Sequence, residues 1–383
     1  MAKDFLHNVN SFVNDLDRDE RKHEIDILKF VGILFIYFGH LEAPSGDRLM
    51  SFVWAFHVPL FFIVSGVCTN YSHMSTSYAS SHHSSGIKTS LYKDIKNILI
   101  PYIFFAVLSL VVYELLFGWN GIELKTECIN YLLGATRNTI TSGGTLWFLT
   151  CLLTIKIVHR ILNKFINVNL LFVLAAYLYF EFGYPKGICS PSWIYNFDSA
   201  CGYYLYFVTG VVVGRSAIYT KTNRSSKTHL LCVGGFICTI YTFVYYAISK
   251  DPLLTIEIIS NSKCSVFIPY ISACTITFFF YCISVLITVI FPKGALILSD
   301  IGRETMFFCG NEAIIKRAIP QFIALFGLNL QLNSSFQRLL YSFILLLLLY
   351  KYIVPLQKNL LKEFYNRFND LFAKVSQTHK SII

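Results

Sequence analysis

The sequence predicts an all-α, polytopic integral membrane protein of about ten transmembrane helices with both termini in the cytoplasm. Three observations predict it. Of the 383 residues, 55% are hydrophobic and only 14% charged, whereas a soluble domain carries about a quarter charged residues. Apolar runs recur at nearly the length of a bilayer span, about 20 residues. Lys and Arg also fall unevenly in the connections between those runs, as they do where loops lie on opposite sides of a membrane.

The runs lie near residues 27–41, 52–68, 98–117, 145–161, 167–183, 198–214, 229–248, 266–291, 303–322 and 338–357. The first, within "IDILKFVGILFIYFGH", is short and carries Asp26, Lys29 and His40. The second holds His57 two positions before Pro59. Proline is tolerated in the first turn of a helix, so His57 is expected at the mouth of this span, with Ser65 and Gly66 deeper. The third follows the basic stretch "SLYKDIKN", and the fourth opens on "LWFL". The ninth is interrupted by "GNEAIIKR", read as an early end to the span or a broken helix lining a cavity. The tenth leads into a basic tail.

With the amino terminus inside, the inner connections hold roughly twice the Lys and Arg of the outer ones, which orients the chain. The organisation is then a cytoplasmic tail over 1–25, a transmembrane region over 26–357 and a basic cytoplasmic tail over 358–383. No cleavable signal peptide is read at the amino terminus, where Phe5, Leu6, Val9, Phe12, Val13 and Leu16 recur at helical spacing, a pattern that reads equally as an interfacial helix or a disordered tail. The net charge of +10 is spread over short connections, which argues against nucleic acid as a partner. Eleven cysteines form no CxxC pair and read as small buried hydrophobes. A disulfide among Cys128, Cys189 and Cys264 is conceivable but unsupported. His73, His82 and His83 fall in the low-complexity "YSHMSTSYASSHHSSG", read as a solvated linker, and no metal is expected.

Ionisable groups inside a span are costly and by default mark function. Lys29 and His40 are eleven positions apart, three helical turns plus about 20°, so both leave one face about 16 Å apart along the axis. Asp26 lies one turn below Lys29. Lys29 alone has an ordinary reading, a side chain snorkelling to the interface. The shared face and the second histidine at His57 turn the reading toward a polar stripe running from the cytoplasmic surface to an imidazole near the outer leaflet. Lys93 and Lys96, one turn apart before the third span, suit a phosphorylated cytosolic ligand, although they also serve as a positive-inside flank.

At these residues the chain resembles the acyltransferase-3 family of integral-membrane enzymes that acylate cell-surface sugars. A basic residue, ten residues and a histidine in the first span (Lys29 and His40), preceded by Asp26, match its pattern, and "FHVPLFFIVSG" is very close to its second-span signature. The basic pair followed by "IPY" (Lys93, Lys96, Pro101 and Tyr102), then "LWFL", "YLYFVTGVVVG" and "DIGRETMFF", follow in the family's order over nearly the whole chain. Lys replaces the family's frequent Arg at positions 29, 93 and 96, and lysine lacks the bidentate fork for phosphate. The chain has "GNE" near the ninth span where relatives often show histidine, and it lacks the esterase-like domain that some members carry.

The resemblance implies transfer of an acyl group, usually acetyl, from cytosolic acetyl-CoA or another acyl-CoA to a hydroxyl of a cell-surface glycan or lipid-linked saccharide. The enzyme would sit in the bilayer of a bacterial cytoplasmic membrane. Lys93, Lys96, Tyr102 and Lys29 are expected at the donor. His40 is expected as general base or as acyl carrier, with His57 as a second acid/base or structural group. Asp26, Ser65, Trp147 and Glu312 are supporting candidates. A transporter or flippase of a lipid-linked saccharide is the alternative reading, and a silent membrane scaffold a third. Nothing in the sequence speaks to oligomeric state.

Overall fold

The structure is a computed structural model that describes residues 23–41, 47–77, 83–119, 121–135, 139–183, 193–215, 224–248, 267–327 and 332–380. The interfacial helix considered for the first 22 residues lies outside these, as do His82, Cys189 and Cys264. Among the described residues all regular structure is helical.

In order the helices are α1 (His23–Gly39), α2 (Arg48–Trp54), α3 (His57–Ser77), α4 (His83–Phe117), α5 (Gly121–Leu132), α6 (Trp147–Phe165) and α7 (Val168–Phe182). A 3-10 turn, Ile194–Asn196, leads into α8 (Phe197–Arg215), followed by α9 (Arg224–Ile248), α10 (Phe267–Ile290), α11 (Pro292–Arg303) and α12 (Thr305–Ala324). Then α13 (Ser335–Leu348) passes through a π turn, Leu349–Ile353, into α14 (Val354–Lys380).

Seven of the ten apolar runs coincide with helices to within about five residues at both ends, while the third and tenth lie in helices that extend well beyond them, α4 from His83 and α14 to Lys380. The second does not stay whole. It divides into α2 and α3 at Ala55 and Phe56, because the ring of Pro59 would strike the carbonyl of Ala55 in a continuous helix, and proline supplies no N–H to it. His57 is therefore the first residue of α3, with Pro59 in the first turn. The ninth corrects its expectation in the other direction. α12 runs unbroken through "GNEAIIKR", burying Gly310, Asn311, Glu312 and Ala313. Its amide side chains are satisfied within the protein, since Asn311 and Gln357 of α14 exchange two hydrogen bonds of 2.7 Å.

The connection 292–303, expected as an inner loop, is helix α11, started by a proline at its first turn. The tail expected from residue 358 continues α14 without a break.

Four stretches are long and apolar enough to cross a membrane by length and composition: Arg48–Thr69, Leu91–Phe117, Phe267–Ile290 and Ser335–Arg367. Rows of large apolar side chains stand exposed, among them Val107, Val111 and Leu115 on α4 and Phe236, Ile240 and Phe243 on α9. Exposed apolar surface on that scale suits a membrane protein whose outer helices face lipid. The inner helices are different. α8 buries most of its length, including Tyr203, Tyr204 and Tyr206. Its hydroxyls find partners: Tyr204 with His159 at 3.1 Å and Thr209 with Tyr270 at 2.7 Å.

α1 lies between two apolar cores. Ile25, Leu28 and Phe38 join the one built on α3, α7, α8 and α10, while Phe30, Ile33, Ile36 and Tyr37 join the one built on α4, α12 and α13. A helix packed on both sides is apolar all round. α3 and α8 meet backbone to backbone, where a side chain at Gly66 would fall on the carbonyl of Phe207 and one at Gly210 on that of Ile63. Small residues are what let membrane helices approach so closely.

Candidate active site

His40 follows the last residue of α1, its amide still bonded to the carbonyl of Ile36 at 3.1 Å. Its Nδ1 lies 2.8 Å from Oε1 of Glu312, whose side chain is 5% exposed, while the imidazole is 26% exposed. Where Nδ1 donates to the carboxyl oxygen, a neutral imidazole keeps its lone pair on Nε2. Glu312 is held by its own helix. Tyr37 donates to the carbonyl of Phe308 at 2.8 Å and Thr145 to that of Cys309 at 3.0 Å, tying α12 to α1 and to the start of α6 one turn before the carboxylate. Gly310 lets α12 settle on the Phe105 ring of α4, where a side chain would collide.

His57 stands across from His40, ring centroids 6.1 Å apart and edge to face. It is buried, and its Nδ1 donates to the carbonyl of Val53 at 2.8 Å, an acceptor left at the end of α2 by the break before Pro59. Trp54 completes the cluster, 6.4 Å from the His40 ring and 5.6 Å from that of His57. α2 is anchored by Asp47, which caps it through the amides of Leu49 and Met50, accepts from Ser335 at 2.8 Å and pairs with the buried Arg338 of α13.

The other end of α1 is charged. Lys29 pairs with Asp26 at 3.0 Å. A second charged cluster joins α4 to α6. There Asp94, between Lys93 and Lys96 on α4, pairs with Lys156 at 3.2 Å and with Arg160. Lys93 is exposed, and Lys96 lies 5.5 Å over the ring of Tyr365 on α14. Two cations, Lys156 and Arg160, therefore hold one carboxylate, with Lys93 and Lys96 beside it on α4. Between the two ends of α1 the expected polar stripe is interrupted, for Ile33 and Ile36 are buried on the way.

The remaining candidates stand apart from the histidines. Tyr102 is buried and donates to the carbonyl of Tyr131 at 2.6 Å, a bond from α4 to α5. Trp147 packs against Tyr203, and Ser65 lies two turns along α3 from His57. The residues that sequence reasoning missed are Trp54, Thr145, Tyr37, Asp47, Asp94, Lys156, Arg160 and Arg338. A signal existed for three. Lys156 and Arg160 are one turn apart in an apolar run, and Asp94 sits between two lysines.

No curated protein and no solved structure matches the chain significantly. A family profile does: residues 22–308 match the acyltransferase domain of the acyltransferase-3 family. The match spans α1 to the first turn of α12 and takes in His40, His57 and the two charged clusters, of Lys29 with Asp26 and of Asp94 with Lys156 and Arg160. It stops four residues short of Glu312, which joins the site on geometry alone. The protein is a membrane acyltransferase of groups other than amino-acyl groups, and the chain belongs to the acyltransferase-3 family.

Proposed function

We propose that this acyltransferase moves an acyl group, most simply acetyl, from cytosolic acyl-CoA to a hydroxyl of a cell-surface glycan or lipid-linked saccharide. The site would lie in the cytoplasmic membrane of a bacterium, in a fold of about ten spans with both termini inside. One observation carries the reading: the 2.8 Å contact of His40 Nδ1 with the Glu312 carboxyl, set beside His57. Acyl transfer to an alcohol needs a base for the hydroxyl proton. An imidazole whose Nδ1–H is fixed by a carboxylate has Nε2 aimed outward as that base, and the carboxylate stabilises the imidazolium that forms.

In this reading the sugar hydroxyl gives its proton to Nε2 of His40 as its oxygen attacks the thioester carbonyl. The C–S bond breaks, and the thiolate of CoA leaves and takes up the proton. His57 stands close enough to help orient the acceptor or to hand on that proton. His40 as a transient acyl carrier is the variant of the same scheme in which Nε2 itself attacks the thioester. Lys93, Lys96, Lys156 and Arg160 supply positive charge for the phosphates of the donor, Lys as point charges and Arg as a fork.

The test is incubation of membranes containing the protein with radiolabelled acetyl-CoA, with and without the surface polysaccharide of the source cells. Label should pass to the polysaccharide, and His40→Ala should abolish it at an unchanged protein level. Retained transfer in that variant would remove His40 from the mechanism. Transport of a lipid-linked saccharide without consumption of acetyl-CoA would favour the flippase reading.

A further inference from the structure

Trp54 is buried on one side and open on the other. It ends α2 with 47% of its surface exposed, although its ring stands within 6.4 Å of His40 and 5.6 Å of His57. Its neighbours Phe52 and Val53 are buried, and Phe52 packs edge to face on Tyr246 of α9. The helix is thus held firmly while its last side chain faces outward. The indole nitrogen lies beside Gly39, immediately before His40, where an added side chain would meet it at 4.0 Å. Among the described residues this N–H has no hydrogen-bond partner. Tryptophan usually finds a partner for its N–H where it is enclosed.

We propose that Trp54 is a specificity-determining platform that stacks on a pyranose ring of the acceptor. A pyranose is a flat amphipathic tile, with a patch of C–H groups on a face and hydroxyls around its edge. The exposed face of an indole suits the patch, burying apolar surface at small cost in side-chain entropy. The indole N–H suits an edge oxygen. Two imidazoles stand at the platform's edge, where a second hydroxyl of the same ring would lie. Trp54 touches the substrate and not the reacting atoms, so its contribution falls on acceptor binding and on which hydroxyl meets His40. The anchoring of α2 by Asp47 and Arg338 gives the platform a fixed position relative to both histidines.

The inference rests on a saccharide being the acceptor, and it is tested without an acyl donor so that its failure is separable from failure of acyl transfer. The full chain is placed in phosphatidylcholine nanodiscs, which carry no sugar headgroups. It is then examined by saturation-transfer NMR with methyl glucopyranoside, methyl galactopyranoside, methyl rhamnopyranoside and methyl N-acetylglucosaminide. Empty nanodiscs serve as the blank. At least one glycoside should receive saturation at its ring C–H protons. Trp54→Ala and Trp54→Leu should each reduce that signal at least fivefold, and Trp54→Phe should retain part of it. Leucine keeps the apolar bulk without the flat face, so it also separates stacking from simple burial should the alanine variant fold poorly. The proposal is overturned if no glycoside receives saturation from the native protein. It is equally overturned if Trp54→Leu matches the native signal, or if octyl glucopyranoside, added as a further probe, is saturated on its alkyl chain alone, which would assign the face to lipid.

Discussion

Glu312 of α12 lies 2.8 Å from Nδ1 of His40 at the end of α1, joining the two extremes of the transmembrane region at one imidazole. The pair sets the tautomer of the histidine, and with it the direction in which its lone pair points. Glu312→Gln keeps the shape but offers an amide in place of the acceptor carboxylate. The variant should lose about 10²–10⁴-fold in turnover with little change in the KM for either substrate. His40→Ala with Glu312→Ala should be no worse than His40→Ala alone, since residues acting as a unit are not additive. Initial rates with radiolabelled donor check both points. Independent, multiplying losses would show that Glu312 works elsewhere.

The cationic end makes a separable prediction. Lys93 is exposed and Lys96 is half-buried over Tyr365, so neither is needed to neutralise Asp94, which Lys156 and Arg160 already hold. Lys93→Ala with Lys96→Ala should raise the KM for acyl-CoA about tenfold or more, since a hydrogen bond to a charged group contributes about 1.5–3 kcal/mol. The KM for the saccharide should hold. Equal damage to both constants, measured on protein of matched abundance, would point to misfolding instead.

Asp94 should behave in the opposite way. It is buried between Lys156 and Arg160, and Arg160 cannot shed its charge. Removing one partner of such a cluster leaves uncompensated charge and costs about 3–5 kcal/mol. Asp94→Ala should therefore lower the thermal midpoint of the purified protein markedly, before any effect on kinetics is considered. A midpoint within a degree of the native one would show that the cluster is solvated.

Much of this was legible in the sequence, for reasons that differ from residue to residue. Hydrophobic runs report helices directly, because a span must satisfy its backbone internally, although polar extensions such as the start of α4 and the end of α14 leave no such trace. His40 and His57 were legible because an imidazole in lipid is expensive, and Pro59 announced where α3 begins. Glu312 was visible as a charge in an apolar run, yet its partner was not, since nothing local to "GNEAIIKR" encodes proximity to α1. The same limit hid Asp47 with Arg338, and Asp94 with Arg160. Each is a contact between distant segments whose charges had ordinary explanations as loop or flank. Trp54 was passed over because aromatic residues are usually packing, and only its exposure beside two histidines sets it apart.

The pair of Asp47 and Arg338 supports the last prediction, an asymmetry between its two halves. The Arg338 side chain is 1% exposed, and its guanidinium lies over the ring of Phe38. Asp47→Ala strips that guanidinium of a carboxylate in a place where it cannot deprotonate, and removes the cap of α2 as well. The combined cost is about 4–6 kcal/mol, the broken buried pair contributing most and the cap about 1 kcal/mol. Arg338→Met should cost less. It leaves Asp47 still accepting from Leu49, Met50 and Ser335, and fills the space with apolar atoms. Asp47→Asn with Arg338→Met should recover most of the loss of Asp47→Ala, because asparagine still caps the helix and no buried charge remains. Thermal unfolding of the three variants in one lipid environment gives the order directly. If Arg338→Met were the most damaging of the three, the pair would be held together by packing around the arginine stem, and Asp47 would be only a helix cap.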